Sequence, residues 1–101
     1  KDLVISGGSN IVPSEVERLL STVEGVTEVV VAGLPDDDLG EVPAAWIVGA
    51  PGADPALLER ALTRVADDKL ARYKRPRRYS FVAELPRNAM GKLDRSALPR
   101  G

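Results

Sequence analysis

Cysteine and histidine are both absent from the 101 residues. Without cysteine there is no disulfide framework, thiol nucleophile or thiolate metal site. Without histidine there is no His-based triad and almost no route to a transition-metal centre. Aromatics are scarce, with one Trp, one Phe and two Tyr. No apolar run approaches the length of a membrane span, and the first residues carry no signal-peptide pattern; a cytoplasmic protein without a membrane span is the expectation. The chain starts at Lys1 rather than Met, which reads as a piece of something longer. What is present, 44% apolar and 29% charged residues, is the composition of one soluble globular domain.

The net charge of −1 conceals a division. Residues 1–68 hold four basic groups against thirteen acidic ones, a net of −9, whereas residues 69–101 hold ten basic groups against two acidic ones, a net of +8. Composition leaves two readings open: an anionic partner at the C-terminal end, or a basic tail that complements its own acidic body.

Apolar spacing predicts the elements. Leu3-Val4-Ile5 reads as a strand ending at Gly7-Gly8. Pro13 suits the first position of a helix, and Val16, Leu19, Leu20 and Val23 share one helical face that Gly25 closes. Residues 27–34 and 42–49 read as a hairpin around the polar PDDDLGE connection. Asp54-Pro55 starts a second helix running to about Leu70, with Leu58, Ala61, Leu62 and Val65 inward. Residues 78–84 alternate as a strand, and a short helical turn is expected near Arg95. Trp46 reads as core or as a surface-facing anchor. The order β-α-β-β-α-β predicts an α+β fold, helices packed on a small, mostly antiparallel sheet.

Three loops carry residues suited to chemistry. In SGGSNIVPSEVE (residues 6–17), a double glycine lets a thin ligand approach the backbone, or simply makes a tight turn; it lacks the phosphate-loop lysine. In YKRPRR (73–78), an aromatic with four cations could stack on a base and grip phosphates, or be a solvated turn. PRNAMGK (86–92) sets Lys92 beside Gly91, a compact charge on a long stem next to unhindered backbone; alone it is a surface lysine. The triplet Asp36-Asp37-Asp38 lacks the alternating ligands and closing Glu of a calcium loop and reads as a solvated turn.

In order and spacing, KDLVISGGSNIVPSEVE, GLPDDDLGE and YKRPRRYSFVAELPRNAMGKLDR together resemble the small C-terminal domain of adenylate-forming acyl- and aryl-CoA synthetases, over essentially the whole chain. The resemblance implies a two-step acid–thiol ligase acting on a fatty or aromatic acid. A carboxylate attacks the α-phosphate of ATP to give an acyl-adenylate and pyrophosphate. The C-terminal lid then rotates on the chain's own N-terminal AMP-binding domain, and coenzyme A displaces AMP. It further implies that Lys92 enters the site for adenylation, where one ammonium between two anions offsets their repulsion. By the same resemblance Ser6, Gly7 and Gly8 line the pantetheine tunnel, Tyr73 and Arg75 contact the coenzyme A nucleotide, and Asp2 is the hinge. ATP and coenzyme A are then substrates, and magnesium belongs to the full-length enzyme rather than to this domain. No metal site and no nucleic-acid partner are expected here, and the isolated fragment is expected to be inactive. Ser9 departs from the Glu that many members carry. VISGG differs from the K-I-R-G of domains that load a carrier-protein thiol, which remains the alternative acceptor. A non-catalytic basic binding module is the third reading.

Overall fold

The computed structural model describes residues 3–100. The chain forms β1 (Val4–Ser6), β2 (Ser9–Ile11), α1 (Pro13–Leu20), β3 (Val26–Asp36), β4 (Gly40–Gly49), α2 (Pro55–Lys69) and β5 (Tyr79–Phe81), with 3₁₀ turns at Arg72–Lys74 and Arg95–Ala97. The α+β class holds: two helices pack on one small, mostly antiparallel sheet. The expected order needs one insertion, β2, directly after β1. Gly7 and Gly8, at φ 57° and 85°, form the two-residue turn that joins them, a pairing of positive φ values that matches the twist of a hairpin. Ser9-Asn10-Ile11 offers one apolar residue and low strand propensity, so the pattern carried no signal for it.

The β3–β4 hairpin is the backbone of the domain. Its strands pair from Val26↔Gly49 to Asp36↔Gly40, so Pro35, Asp36, Gly40 and Glu41 belong to the strands rather than to the expected connection. The Asp36 carboxylate accepts the N–H groups of Asp38 and Leu39 and closes the shortened turn. On the other side of β4, β1 attaches at Gly40 and β5 runs parallel over Ala45–Ile47. Pro43 falls in the gap between them, where its missing N–H leaves no donor unpaired. The last strand is shorter than expected, three residues instead of seven.

Both faces of this hairpin are buried. Val31, Ala45 and Ile47 point to α1 and α2, joining Val16, Leu20, Leu62, Ala66 and Leu70. Val30, Ala32, Val42, Ala44 and Trp46 point the other way, against Leu85 and Leu98 of an irregular strap over 82–99. Trp46 is therefore core, and its indole N–H donates to the Pro99 carbonyl at 2.7 Å.

α2 begins as expected, with the Asp54 carboxylate accepting the Ala56 N–H. α1 stops earlier than expected, at Leu20, and residues 21–23 unwind through Thr22 N–H to Leu19 O and Val23 N–H to Leu20 O. Gly25 serves close packing instead of a cap: a Cβ there would lie 2.9 Å from Leu58 Cδ2.

Candidate functional site

Lys92 ends a tight turn projecting from the strap, above a bridge between Arg87 and Leu93. Gly91 N–H donates to Asn88 O at 2.9 Å, and Asn88 N–H donates to Lys92 O at 2.8 Å. The Asn88 side-chain oxygen accepts two further N–H groups, from Met90 at 2.8 Å and Lys92 at 3.1 Å. Gly91, at φ 82°, supplies the left-handed position this turn requires. The backbone at Gly91 is unhindered, as expected, but these bonds pin it. Below the turn, Arg87 donates to Gly91 O at 3.4 Å and pairs with Glu28 at 3.3 Å. The Lys92 side chain is exposed and makes no hydrogen bond or ion pair among the described residues.

Ser6, Gly7 and Gly8 lie at the far end of the hairpin. Ser6 is buried and its backbone pairs with Ser9 and Gly40, while Gly7 N–H donates to Leu39 O at 2.8 Å. A Cβ on Gly7 would sit 3.1 Å from Leu39 Cδ2, whereas one on Gly8 would meet nothing within 4 Å. Gly8 thus presents bare backbone to open space. Lys92's turn is anchored at Glu28 and the glycine turn beside Gly40, the partner of Asp36. These anchor points are separated by eight residues of one strand, about 26 Å at the rise of an extended chain.

Tyr73 sits in the 3₁₀ turn after α2 and is 43% exposed. The Lys74 ammonium lies 5.8 Å from its ring centroid and 3.2 Å from Glu15 at the start of α1. Arg75 is engaged within the fold: Nε donates to Leu70 O at 2.9 Å and Nη2 to Asp67 O at 3.1 Å, capping carbonyls at the end of α2. The same loop carries Arg72 and Arg77, exposed and without side-chain partners among the described residues. Sequence reasoning counted Arg77 among the four cations of YKRPRR without separating it from the others, and passed over Arg72, because a run of cations does not reveal which ones the fold consumes. Asp2 lies outside the described residues.

The charge division is in part internal. Lys74–Glu15, Arg75–Asp67, Arg87–Glu28 and Arg95–Glu17 each join the basic tail to the acidic body. No helix among the described residues is long and apolar enough to cross a membrane.

Residues 15–92, from the start of α1 to the lysine of the pinned turn, match the family model of the AMP-binding enzyme C-terminal domain. The chain belongs to that family. Among similar proteins, the 4-chlorobenzoate–CoA ligase of Pseudomonas sp. (strain CBS-3) is 50% identical over 97 residues, which cover 96% of this chain and 18% of that protein. ATP-bound MatB from Rhodopseudomonas palustris superimposes with a TM-score of 0.85 at 40% identity, over 95% of this chain and 19% of its own. The o-succinylbenzoate CoA synthetase (MenE) of Bacillus subtilis, in complex with its acyl-adenylate intermediate, gives 0.83 at 39% identity, over 99% and 20%. This C-terminal-domain family member therefore spans about a fifth of the length of the proteins it resembles.

Proposed function

We propose that this domain is the mobile C-terminal lid of an ATP-dependent acid–CoA ligase, presenting Lys92 for adenylation and the Gly7-Gly8 turn for thioester formation. The observation that carries the reading is the unpaired Lys92 ammonium, held out on a hydrogen-bonded turn, in a chain of this family. By contrast, Lys74 is paired with Glu15 and Lys69 lies 3.9 Å from Asp68. A carboxylate attacking an α-phosphate brings two anions together. An ammonium contacting both offsets their repulsion and stabilises the charge that develops on the transferred group. Among the described residues Lys92 is exposed, which fits a site in which ATP and the acid are held by another part of the protein.

In the second step a thin pantetheine arm would pass the bare backbone at Gly8, where a side chain would narrow the path. The Tyr73 ring is exposed for stacking on the adenine, with Arg72 and Arg77 free to meet phosphates. Arg75, tied to the α2 carbonyls, would act there mainly by holding the loop. Anchored at opposite ends of one hairpin, the two turns cannot serve one reaction centre in one orientation. That separation is the reason to invoke rotation about a hinge at Asp2. Free coenzyme A is favoured over a carrier-protein thiol because the similar proteins are CoA ligases.

The test uses the full-length enzyme. Lys92→Ala should abolish acid-dependent exchange of pyrophosphate into ATP while largely sparing thioester synthesis from a preformed acyl-adenylate. Normal exchange in that variant would sink the assignment.

A further inference from the structure

The turn that carries Lys92 is not braced by packing. Met90 at its tip is 82% exposed, and a Cβ on Gly91 would meet nothing within 4 Å. Its order therefore depends on its hydrogen bonds; Arg87 donates to Gly91 O from below at 3.4 Å, and the four that close the turn all involve one residue. Asn88 donates its N–H to Lys92 O, accepts Gly91 N–H at its carbonyl, and accepts Met90 and Lys92 N–H at its side-chain oxygen. The last of these fixes the backbone nitrogen of Lys92 itself. Asparagine suits this task because its short side chain reproduces a turn of backbone and accepts bonds from residues just ahead of it.

We propose that Asn88 is a positioning residue for Lys92, setting the direction in which the lysine stem leaves the domain. The inference rests on the adenylation role proposed for Lys92. A four-carbon stem amplifies small changes at its root, and displacement of a reacting group by about 1 Å can cost on the order of a hundredfold in rate. Asn88→Ala leaves both main-chain bonds of the turn available but removes both side-chain bonds. The lysine then samples many directions, of which few reach the acid and the phosphate together.

The experiment measures both half-reactions in the full-length enzyme carrying Asn88→Ala, Asn88→Ser or Lys92→Ala, alongside thermal stability. Asn88→Ala should lower kcat of adenylation by about tenfold or more, with KM for ATP and thioester formation from preformed adenylate little changed. Asn88→Ser keeps a neutral acceptor on a shorter side chain and should recover part of the loss. If Lys92→Ala abolishes adenylation while Asn88→Ala stays within about twofold of wild type, the positioning role is overturned. Equal losses in both half-reactions with a lowered Tm would also overturn it, since they mark a merely structural residue. If instead Lys92→Ala leaves adenylation intact, the functional reading itself fails.

Discussion

The two faces of the β3–β4 hairpin are covered by opposite means. On one face, two regular helices bury Val16, Leu20, Leu62 and Ala66 against Val31, Ala45 and Ile47. On the other, an irregular strap is held by a few apolar anchors and by side chains that bond backbone. Trp46 reaches the Pro99 carbonyl, Arg95 donates to Val31 O at 2.8 Å, and Arg100 donates to Gly33 O at 2.9 Å. The helical face is a scaffold whose stability is spread over many contacts. The strap face concentrates its attachment in a few residues, and it carries Lys92. A segment of this kind can be positioned accurately while leaving most of its backbone available for work at an interface.

The sharpest break in this comparison comes from a reciprocal pair. In the full-length enzyme, Lys92→Ala should slow adenylation by about a hundredfold or more and leave thioester formation nearly intact. Gly8→Val should do the reverse: its Cβ meets nothing within the domain, so the cost falls on whatever passes outside, beyond the backbone strain at φ 85°. Half-reaction assays decide it, and two variants that impair the same step would remove the division of labour between the turns.

Stability separates the faces next. Trp46→Phe removes both volume and the indole bond to Pro99, and should cost about 2–3 kcal/mol. Ile47→Val, one residue away on the helical face and fully buried, should cost about 1 kcal/mol. Urea denaturation gives both values. The Trp46 variant should also expose 87–92 to proteolysis at low urea, and equal protection in the two variants would show that the strap is not a separate attachment.

The unequal legibility of the faces has the same origin. The bounds of α2 were readable to within a residue because Asp54-Pro55 and the spacing of Leu58, Leu62 and Val65 are local signals, whereas Ala61, expected inward, is exposed and Ala66 is buried in its stead. The β3–β4 strands were readable as apolar runs, but their extension through Pro35 and Glu41 was not, since polar residues there pair only because the opposite strand continues. β2 exists because Gly7-Gly8 turns the chain back on β1, a tertiary consequence invisible to periodicity. At the site, the motif around Lys92 could be picked out, whereas the role of Asn88 could not, because it depends on which way a carboxamide turns. In the basic loop, composition could not tell Arg75, consumed by helix carbonyls, from Arg72 and Arg77, which are not.

A smaller effect tests the seam between the faces. β3 is an edge strand, and its unpaired groups at Val31 are capped by side chains. Glu17 on α1 accepts the Val31 N–H at 2.9 Å, and Arg95 on the strap bonds the carbonyl and lies 3.6 Å from Glu17. The pair substitutes for a missing strand and blunts an edge that would otherwise template aggregation. Glu17→Ala strands a buried N–H and should cost about 2 kcal/mol, whereas Glu17→Gln keeps the acceptor and should recover more than half. If Gln were no better than Ala, the ion pair and not the capped N–H would carry the interaction.

The smallest expected effect lies on the helical face and appears only in alkali. Tyr79, on β5, is partly buried beneath α2. Burial, then the carboxylates of Asp67 and Glu59, push its phenol up from 10.0 to about 12, against a hydrogen bond with Thr63 that lowers it. All three upward influences disfavour the phenolate, so the folded chain holds this proton more tightly than the unfolded chain does. The associated stability is fully present below pH 10 and is lost as pH rises through about 12. Tyr79→Phe has no proton to lose. Its urea midpoint should therefore fall less steeply than that of the wild type between pH 10 and about 12, with the two slopes alike below that window. Every other ionisable side chain is common to both proteins, so the difference between the slopes isolates the Tyr79 phenol. Parallel curves across the whole range would mean that the phenol ionises as freely in the folded chain as in the unfolded one, and that α2 does not seal β5 from water.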